Sequence, residues 1–215
     1  MQEQARKILQ DIIINYPGLA CCAEQIWQAF VLLRQCYANG GKVLICGNGG
    51  SAADAEHIVG ELMKGFLRRR ELPPDRIAKF QAACPDDWSY LTKNLQGALP
   101  AISLVSQTAF ATAFINDVTA DMVFAQQVYG YAQAGDVLIA ISTSGNSRNV
   151  LNAVKVAKVL GASTIGLSGQ TGGRLIQCCD VNIAVPATST ARIQELHLPV
   201  YHTLCAMIEA EFFAE

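Results

Sequence analysis

The fold is decided by residues Val43–Glu61, which read VLICGNGGSAADAEHIVGE. The segment opens with the apolar run Val43–Cys46, which is typical of a buried strand. Glycine-rich residues 47–51 follow, and glycines permit positive φ and let a ligand come close to the backbone. Ser51 is a suitable N-cap, so we expect a helix over 52–62. This strand, glycine turn and helix N-terminus predict an anion site, because free N–H groups and the helix dipole favour negative charge.

The same helix carries two side chains suited to acid–base chemistry or metal binding. His57 and Glu61 stand four residues apart, so both lie on one face of the helix. The segment therefore predicts an anion cradle beside an acid–base or metal-ligand pair.

The bulk properties fit one substantial α/β domain over residues 1–215. Net charge is −2, the pI is about 5.9 and mean hydropathy is +0.24. The basic block Arg68–Arg70 is too short to indicate nucleic-acid binding, and no apolar run reaches the ~18 residues of a membrane span. The chain has eight cysteines, but we find neither a CxxC pattern nor a secretory signal. We interpret the cysteines as small core residues of a cytoplasmic protein.

Predicted strands and helices alternate along the chain. The strands lie at 43–46, 101–105, 136–141, 163–167 and 181–185. The remaining helices lie at 2–16, 20–38, 108–115, 121–132, 149–160, 174–178 and 191–213. Because the strands are apolar throughout, we expect a parallel sheet that is covered on both faces. Right-handed crossovers then give a three-layer α/β/α sandwich with a doubly wound, flavodoxin-like sheet, whose ligands sit at the carboxyl ends of the strands.

Two segments exceed such a minimal unit. The apolar stripes of the helices within residues 1–40 predict either packing on the same domain or a subunit interface, which is slightly favoured. Residues 65–97 are typical of an insertion with two short helices, and Trp88 and Tyr90 predict that it packs against the domain. In the final helix, Pro199 predicts a bend.

A second anion loop follows the third predicted strand. Residues 142–147 read STSGNS, with four hydroxyl side chains and one glycine at the start of a helix. Hydroxyls and backbone amides bind phosphate, whereas an ordinary N-cap needs only one hydroxyl. The sequence has no GxxxxGKS/T motif, and no GxGxxG motif with a following acidic residue, so we predict no nucleotide cofactor.

The three histidines, His57, His197 and His202, all lie on predicted helices. A lone histidine is usually structural, but His57 pairs with Glu61, and His202 shares its helix with Gln194. Gln194 and His202 are eight residues apart, about 12 Å along the helix axis, so both side chains would have to extend far to bind one metal ion. The set offers N and O ligands that suit zinc. Glu61 and His202 suit metal-free proton transfer equally well.

Four motifs in combination resemble the SIS (sugar isomerase) domain of the phosphoheptose isomerases over nearly the whole chain. They are GNGGSAADAEHIVGEL, AGDVLIAISTSGNSRNVLNAV, SGQTGG and ARIQELHLPVYH. The resemblance implies a five-stranded parallel sheet and a homotetramer with active sites near subunit interfaces. It implies conversion of sedoheptulose 7-phosphate to D-glycero-D-manno-heptopyranose 7-phosphate through an enediol.

The resemblance also implies roles for individual residues. Glu61 would be the base and His202 its acid–base partner. Zinc, one ion per subunit, would bind His57, Glu61, Gln194 and His202. The substrate and its phosphate would contact Asn48, Gly49, Gly50, Ser51, Asp117, Ser142, Thr143, Ser144, Ser147 and Gln194.

Residues 65–97 form a longer link than the resemblance predicts, directly after the helix of Glu61, which leaves the heptose substrate more open than the reaction type. Two alternatives belong to other functional classes. One is a non-catalytic SIS tetramer that binds the bacterial replication initiator, a subgroup that lacks the carboxylate at the position of Glu61. The other is a sugar-phosphate sensor, which needs the phosphate loops but not Glu61. Glu61 together with His202 favours an enzyme.

Overall fold

The computed structural model describes residues 2–213 and contains one five-stranded parallel sheet in the order β2-β1-β3-β4-β5. The strands are β1 (Val43–Cys46), β2 (Ala101–Ser103), β3 (Val137–Ile141), β4 (Ser163–Ser168) and β5 (Val181–Ala184). Every residue of β1 and β3 is buried, as expected for central strands covered on both faces. The chain winds outward from β1 in one direction and from β3 in the other, so the carboxyl ends of these neighbouring strands form the switch point. The predicted doubly wound, flavodoxin-like sheet is confirmed.

Helices cover both faces of this sheet. They are α1 (Gln2–Asn15), α2 (Ala23–Ala38), α3 (Gly50–Met63), α4 (Pro74–Ala83), α5 (Trp88–Asn94), α6 (Thr108–Asp117), α7 (Val123–Tyr131), α8 (Arg148–Val159), α9 (Leu175–Cys178) and α10 (Thr190–Phe212). One apolar core lies between the sheet and α1, α2, α3 and α10, and a second lies between the sheet and α7 and α8. The predicted α/β/α sandwich is therefore confirmed. The second helix starts later than predicted because residues 17–22 form a 3-10 turn.

The N-terminal helices are covered by the domain itself. Ala5, Leu9 and Ile12 are buried, and α1 packs against α10. Packing on the same domain, the less favoured alternative, therefore accounts for this stripe. Ile14 and Tyr16 remain exposed, at 73% and 46%.

The segment after α3 does contain two short helices, α4 and α5, as predicted. They pack against each other, and neither has a buried residue. The prediction that Tyr90 packs is wrong, since it is 73% exposed, and Trp88 is half-buried. Tyr90 lies on α5, and because neither α4 nor α5 has a buried residue, this hairpin has no core of its own in which a large ring could be buried.

The start of α3 also differs from expectation. Gly49, with φ +58°, occupies the N-cap position, and the helix begins at Gly50. Ser51 is therefore a buried first-turn residue and not the cap. A positive φ, which glycine adopts without steric cost, lets the chain turn into the helix earlier than Ser51.

The cysteine prediction holds for Cys22, Cys36, Cys46 and Cys205, which are buried, and fails for Cys21, which is exposed. All eight thiols lie within residues 2–213 and are unpaired. In the same residues, no helix is both long enough and apolar enough to span a bilayer.

Candidate active site

The first anion loop joins β1 to α3 and is closed in by two distant side chains. A Cβ placed on Gly50 would meet the side-chain amide of Gln194, so Gln194 from α10 lies directly over this glycine. Asn48 and Asn149 exchange a reciprocal pair of amide hydrogen bonds, both 2.9 Å long. Because Asn149 lies in the first turn of α8, this pair joins the two anion loops at the switch point. Sequence reasoning missed Asn149, although its position two residues after the second loop could have indicated it.

The second anion loop gathers its hydroxyls at the start of α8. Ser142 Oγ lies 3.0 Å from Ser147 Oγ and 3.5 Å from Ser144 Oγ. The main-chain N–H of Ser147 donates to Ser142 Oγ over 3.4 Å. Ser142 is buried and Ser144 is exposed, so the cluster runs from the core to the surface. Hydroxyls next to a helix N-terminus make a site where an anionic oxygen finds several donors.

The glycine-rich loop after β4 supports this second loop from behind. The Gly169 N–H donates to the Thr143 carbonyl over 3.0 Å, and the Leu175 N–H donates to the Gly145 carbonyl over 3.0 Å. Gly145 has φ +66°, and a Cβ there would meet the carbonyl oxygen of Gly172. The SGQTGG motif therefore holds the backbone of the hydroxyl loop in place.

A second group of side chains lies further along α3. His57 Nε2 is 3.3 Å from Glu61 Oε1 and 3.5 Å from His202 Nε2. Glu61 is only 8% exposed, and its other oxygen is 3.4 Å from Lys64 Nζ. Phe66 covers His202, with ring centroids 5.2 Å apart. Burial and the neighbouring His57 lower the pKa of His202, while the negative charge of Glu61 opposes this.

Two further residues orient His57. Tyr201 Oη lies 2.9 Å from His57 Nδ1 and donates to Asp54 Oδ1 over 3.3 Å. Since a hydroxyl has one proton, Tyr201 must accept from an Nδ1–H, which leaves Nε2 of a neutral His57 as a bare lone pair. Burial raises the pKa of Asp54, and burial together with the negative charge of Asp54 raises the pKa of Tyr201. Neither Tyr201 nor Asp54 was predicted. Asp54 stands three residues before His57 on one helix face, and that spacing was a signal for it, whereas the adjacency of Tyr201 to His202 gave none.

A lone pair that faces a carboxylate oxygen at 3.3 Å requires a proton or a cation between them. The imidazoles and the carboxylate are donors that zinc accepts, so the donor types fit such an ion. Within residues 2–213, however, no set of three or more His, Cys, Asp or Glu side chains is arranged to hold a metal. The three groups form a chain of contacts with His57 at its centre.

The remaining predicted residues lie apart from this group. Gln194 lies over Gly50 at the other end of α3, so three of the four predicted metal ligands come together. Asp117 is exposed at the end of α6, where its carboxylate accepts from Asn116 Nδ2 over 2.9 Å. His197 is fully buried on α10, with Nε2 3.3 Å from the Ser168 carbonyl oxygen, as for a structural histidine.

Comparison with known proteins identifies the family. The SIS domain family matches residues 19–169, a range that includes both anion loops, His57 and Glu61. A phosphoheptose isomerase from Aliarcobacter butzleri is 42% identical over 188 residues, which cover 87% of this chain and 86% of that protein. The chain belongs to the phosphoheptose isomerase family of SIS domain proteins.

The similarity extends over nearly the full length of this phosphoheptose isomerase family member. A phosphoheptose isomerase from Rhodospirillum rubrum is 37% identical over 209 residues, covering 97% of each chain. The structure of a phosphoheptose isomerase from Neisseria gonorrhoeae matches with a TM-score of 0.70 and 35% identity, covering 96% of this chain and 92% of that one.

Proposed function

We propose that this chain is a phosphosugar isomerase that converts sedoheptulose 7-phosphate to D-glycero-D-manno-heptopyranose 7-phosphate. The observation that carries the proposal is the buried Glu61 carboxylate in contact with His57, which also contacts His202. Glu61 and His57 lie on α3, the helix whose N-terminus forms an anion loop, and His202 reaches them from α10. The names of the relatives support the substrate class.

The two loops provide a phosphate anchor. The hydroxyls of residues 142–147 and the first N–H groups of α3 and α8 would bind the phosphate, and this remote binding energy would hold the reacting end in place. Ser51 and Glu61 are ten residues apart on α3, about 15 Å along its axis. Such a separation favours a substrate whose phosphate lies far from its reacting carbons.

The acid–base group would perform the isomerisation. The Glu61 carboxylate removes a proton from C1 of the ketose, which gives an enediol, and returns a proton to C2 to give the aldose. His202 moves a proton between the oxygens on C1 and C2. This division of work needs one carboxylate and one imidazole within reach of adjacent carbons.

We further propose that one zinc ion per subunit binds His57, Glu61 and His202, which leaves the fourth position open, since Gln194 lies over Gly50 at the other end of α3. The donor types support it. The separations of 3.3 Å between His57 and Glu61 and 3.5 Å between His57 and His202 are close to the spacing of about 3.4 Å between adjacent ligands of a tetrahedral zinc, but the side chains of residues 2–213 do not already form a three-ligand cluster, so binding would require them to rearrange. Bound zinc would supply a Lewis acid for the sugar carbonyl. The test is metal analysis after dialysis: about one zinc per chain is expected in the wild type, and loss in His57→Gln. A metal-free wild type with full activity would refute the proposal.

A cytoplasmic homotetramer is proposed as the working form. Eight unpaired thiols suit a reducing compartment. Exposed apolar residues such as Ile14, Val118 and Tyr129 suit subunit contacts. Light scattering coupled to size-exclusion chromatography measures the mass, and a monomer would refute the assembly.

The proposed reaction is tested with sedoheptulose 7-phosphate in deuterated water, followed by NMR at C1 and C2. The wild type should form aldose or incorporate deuterium at C1. Glu61→Gln should abolish both while phosphosugar binding remains. Glu56→Gln is the matched control, since Glu56 is an exposed carboxylate on the same helix, hydrogen-bonded to Ser106. A wild type that binds the sugar phosphate without exchange or product would instead support a sensor or scaffold.

A further inference from the structure

A buried arginine from the segment after α3 occupies the end of the helix that carries Glu61. Arg70 is 1% exposed. Its Nη1 donates to the Leu62 carbonyl over 2.6 Å, and its Nη2 donates to the Glu61 carbonyl over 2.8 Å. The last carbonyls of a helix lack partners within the helix and form the negative end of its dipole. Arg70 therefore donates hydrogen bonds to two carbonyl oxygens of the turn from which the Glu61 side chain projects.

The same guanidinium is bound to helix α10. Arg70 Nε donates to Glu209 Oε1 over 2.8 Å, and Glu209 is also 1% exposed. Both Glu209 oxygens accept further bonds, from the main-chain N–H groups of Phe66 at 2.8 Å and Leu67 at 2.7 Å. Glu209 follows His202 by seven residues, which is two turns along one side of the helix. The pair thus connects the turn of Glu61 to the helix of His202.

We propose that Arg70 and Glu209 are positioning residues that set the location of Glu61 relative to His202, an inference that rests on the proposed isomerase function. A buried ion pair adds little net stability, because the loss of hydration offsets the attraction. The planar guanidinium, however, fixes three acceptors in one geometry, which an ammonium group does not do. The bonds from Phe66 and Leu67 to Glu209 also hold the Phe66 ring against His202.

The consequence for catalysis is a selective loss of rate. Proton transfer requires reacting atoms within about 3–3.5 Å, and a shift of about 1 Å costs on the order of 100-fold. The anion loops lie at the opposite end of α3, so phosphate binding is insensitive to a shift in its last turn. Disturbing Arg70 should therefore lower kcat and leave KM nearly unchanged.

The test compares Arg70→Lys with Arg34→Lys. Lysine keeps the charge at position 70 but cannot bond both carbonyls and Glu209 together. We expect a fall in kcat of about tenfold or more, with KM within about threefold. Arg34 is the matched control, because it forms an ion pair of 2.7 Å with Glu211, two residues beyond Glu209 on α10. The kcat of Arg34→Lys should stay within about twofold of the wild-type value.

Partial unfolding is separated from misplacement by counting sites. Isothermal titration with glucitol 6-phosphate, which cannot isomerise, gives the number of binding-competent sites, and kcat is expressed per site. Unfolded protein reduces the number of sites but not kcat per site. An unchanged kcat per site in Arg70→Lys would overturn the inference, whereas an inactive wild type would overturn the proposed function instead. If Arg70→Lys does not fold, Glu209→Gln replaces it, with the same expected loss and the same refuting result.

Discussion

His197 should make the stability of this protein depend on pH below neutrality. The side chain is fully buried, Nε2 lies against the Ser168 carbonyl, and Nδ1 has no hydrogen-bond partner. A proton added to Nδ1 would therefore place an unpaired charge in the core. Burial lowers the pKa of His197 from 6.5 to about 4, and the bond to Ser168 opposes this only in part.

The sign and size of the effect follow from that pKa. Between pH 6.5 and pH 4 the unfolded chain binds the proton more readily than the folded one, so the free energy of unfolding falls as the pH falls. The expected loss at this histidine is about 2 kcal/mol by pH 5 and about 3 kcal/mol by pH 4. Above pH 7 both states are neutral at this residue, and the contribution vanishes.

Urea unfolding of wild type and His197→Gln at pH 7, 6 and 5 measures this effect. Glutamine keeps a side-chain N–H for the Ser168 carbonyl but does not titrate. Because the carboxylates titrate equally in both proteins, their contribution cancels when the free energies of unfolding of wild type and variant are subtracted. The wild type should lose about 2 kcal/mol more than the variant between pH 7 and pH 5. Parallel stability curves for the two proteins would refute the reasoning.

Two further predictions concern the phosphate loop and the amino end of the central strands. Gly145→Ala should raise KM for the sugar phosphate about tenfold in initial-rate assays, because a residue at φ +66° whose Cβ meets the Gly172 carbonyl is strained by about 1–3 kcal/mol. Gly130→Ala is the control, since a Cβ on Gly130 has no neighbour within 4 Å. An unchanged KM for Gly145→Ala would contradict the role of the loop. Asp136→Asn should lower the free energy of unfolding in urea by about 3 kcal/mol and leave kcat unchanged, because the buried carboxylate pairs with Lys42 Nζ at 2.6 Å at the amino end of β3. A loss of activity without a loss of stability would contradict this second prediction.

Elements fixed by local pattern could be predicted from sequence. Strand β1 has the predicted bounds, because four apolar residues stand between polar or glycine residues on both sides. The hydroxyl cluster of residues 142–147 was also readable, since its members are neighbours in the chain. The start of α3 was misjudged, because the preference of Ser51 for an N-cap was overridden by the positive φ of Gly49. At this position the backbone path of the turn overrides the local preference of Ser51 for the N-cap.

Contacts between residues far apart in the chain could not be predicted from the sequence pattern. The resemblance assigned Gln194 both to the metal ligands with His202 and to the substrate-binding residues with Gly50, and the structure gives it a contact with Gly50, 144 residues earlier. The reciprocal pair between Asn48 and Asn149 spans 101 residues. Such pairs depend on how α3, α8 and α10 pack over the sheet, and no periodicity in one helix encodes them. A side chain eight residues from a candidate ligand therefore need not serve the same end of the site.

The basic triplet of residues 68–70 shows why a charge run is a poor guide to exposure in an irregular segment. Composition treats these arginines alike, but Arg69 is exposed beside Glu71, and Arg70 is fully buried against Glu209. A cation is needed where a helix ends and a carboxylate from another helix is buried nearby, and the triplet supplies one side chain to that place. The first residues after α3 are therefore part of the structure around Glu61. The exposed hairpin of α4 and α5 begins only after Pro73.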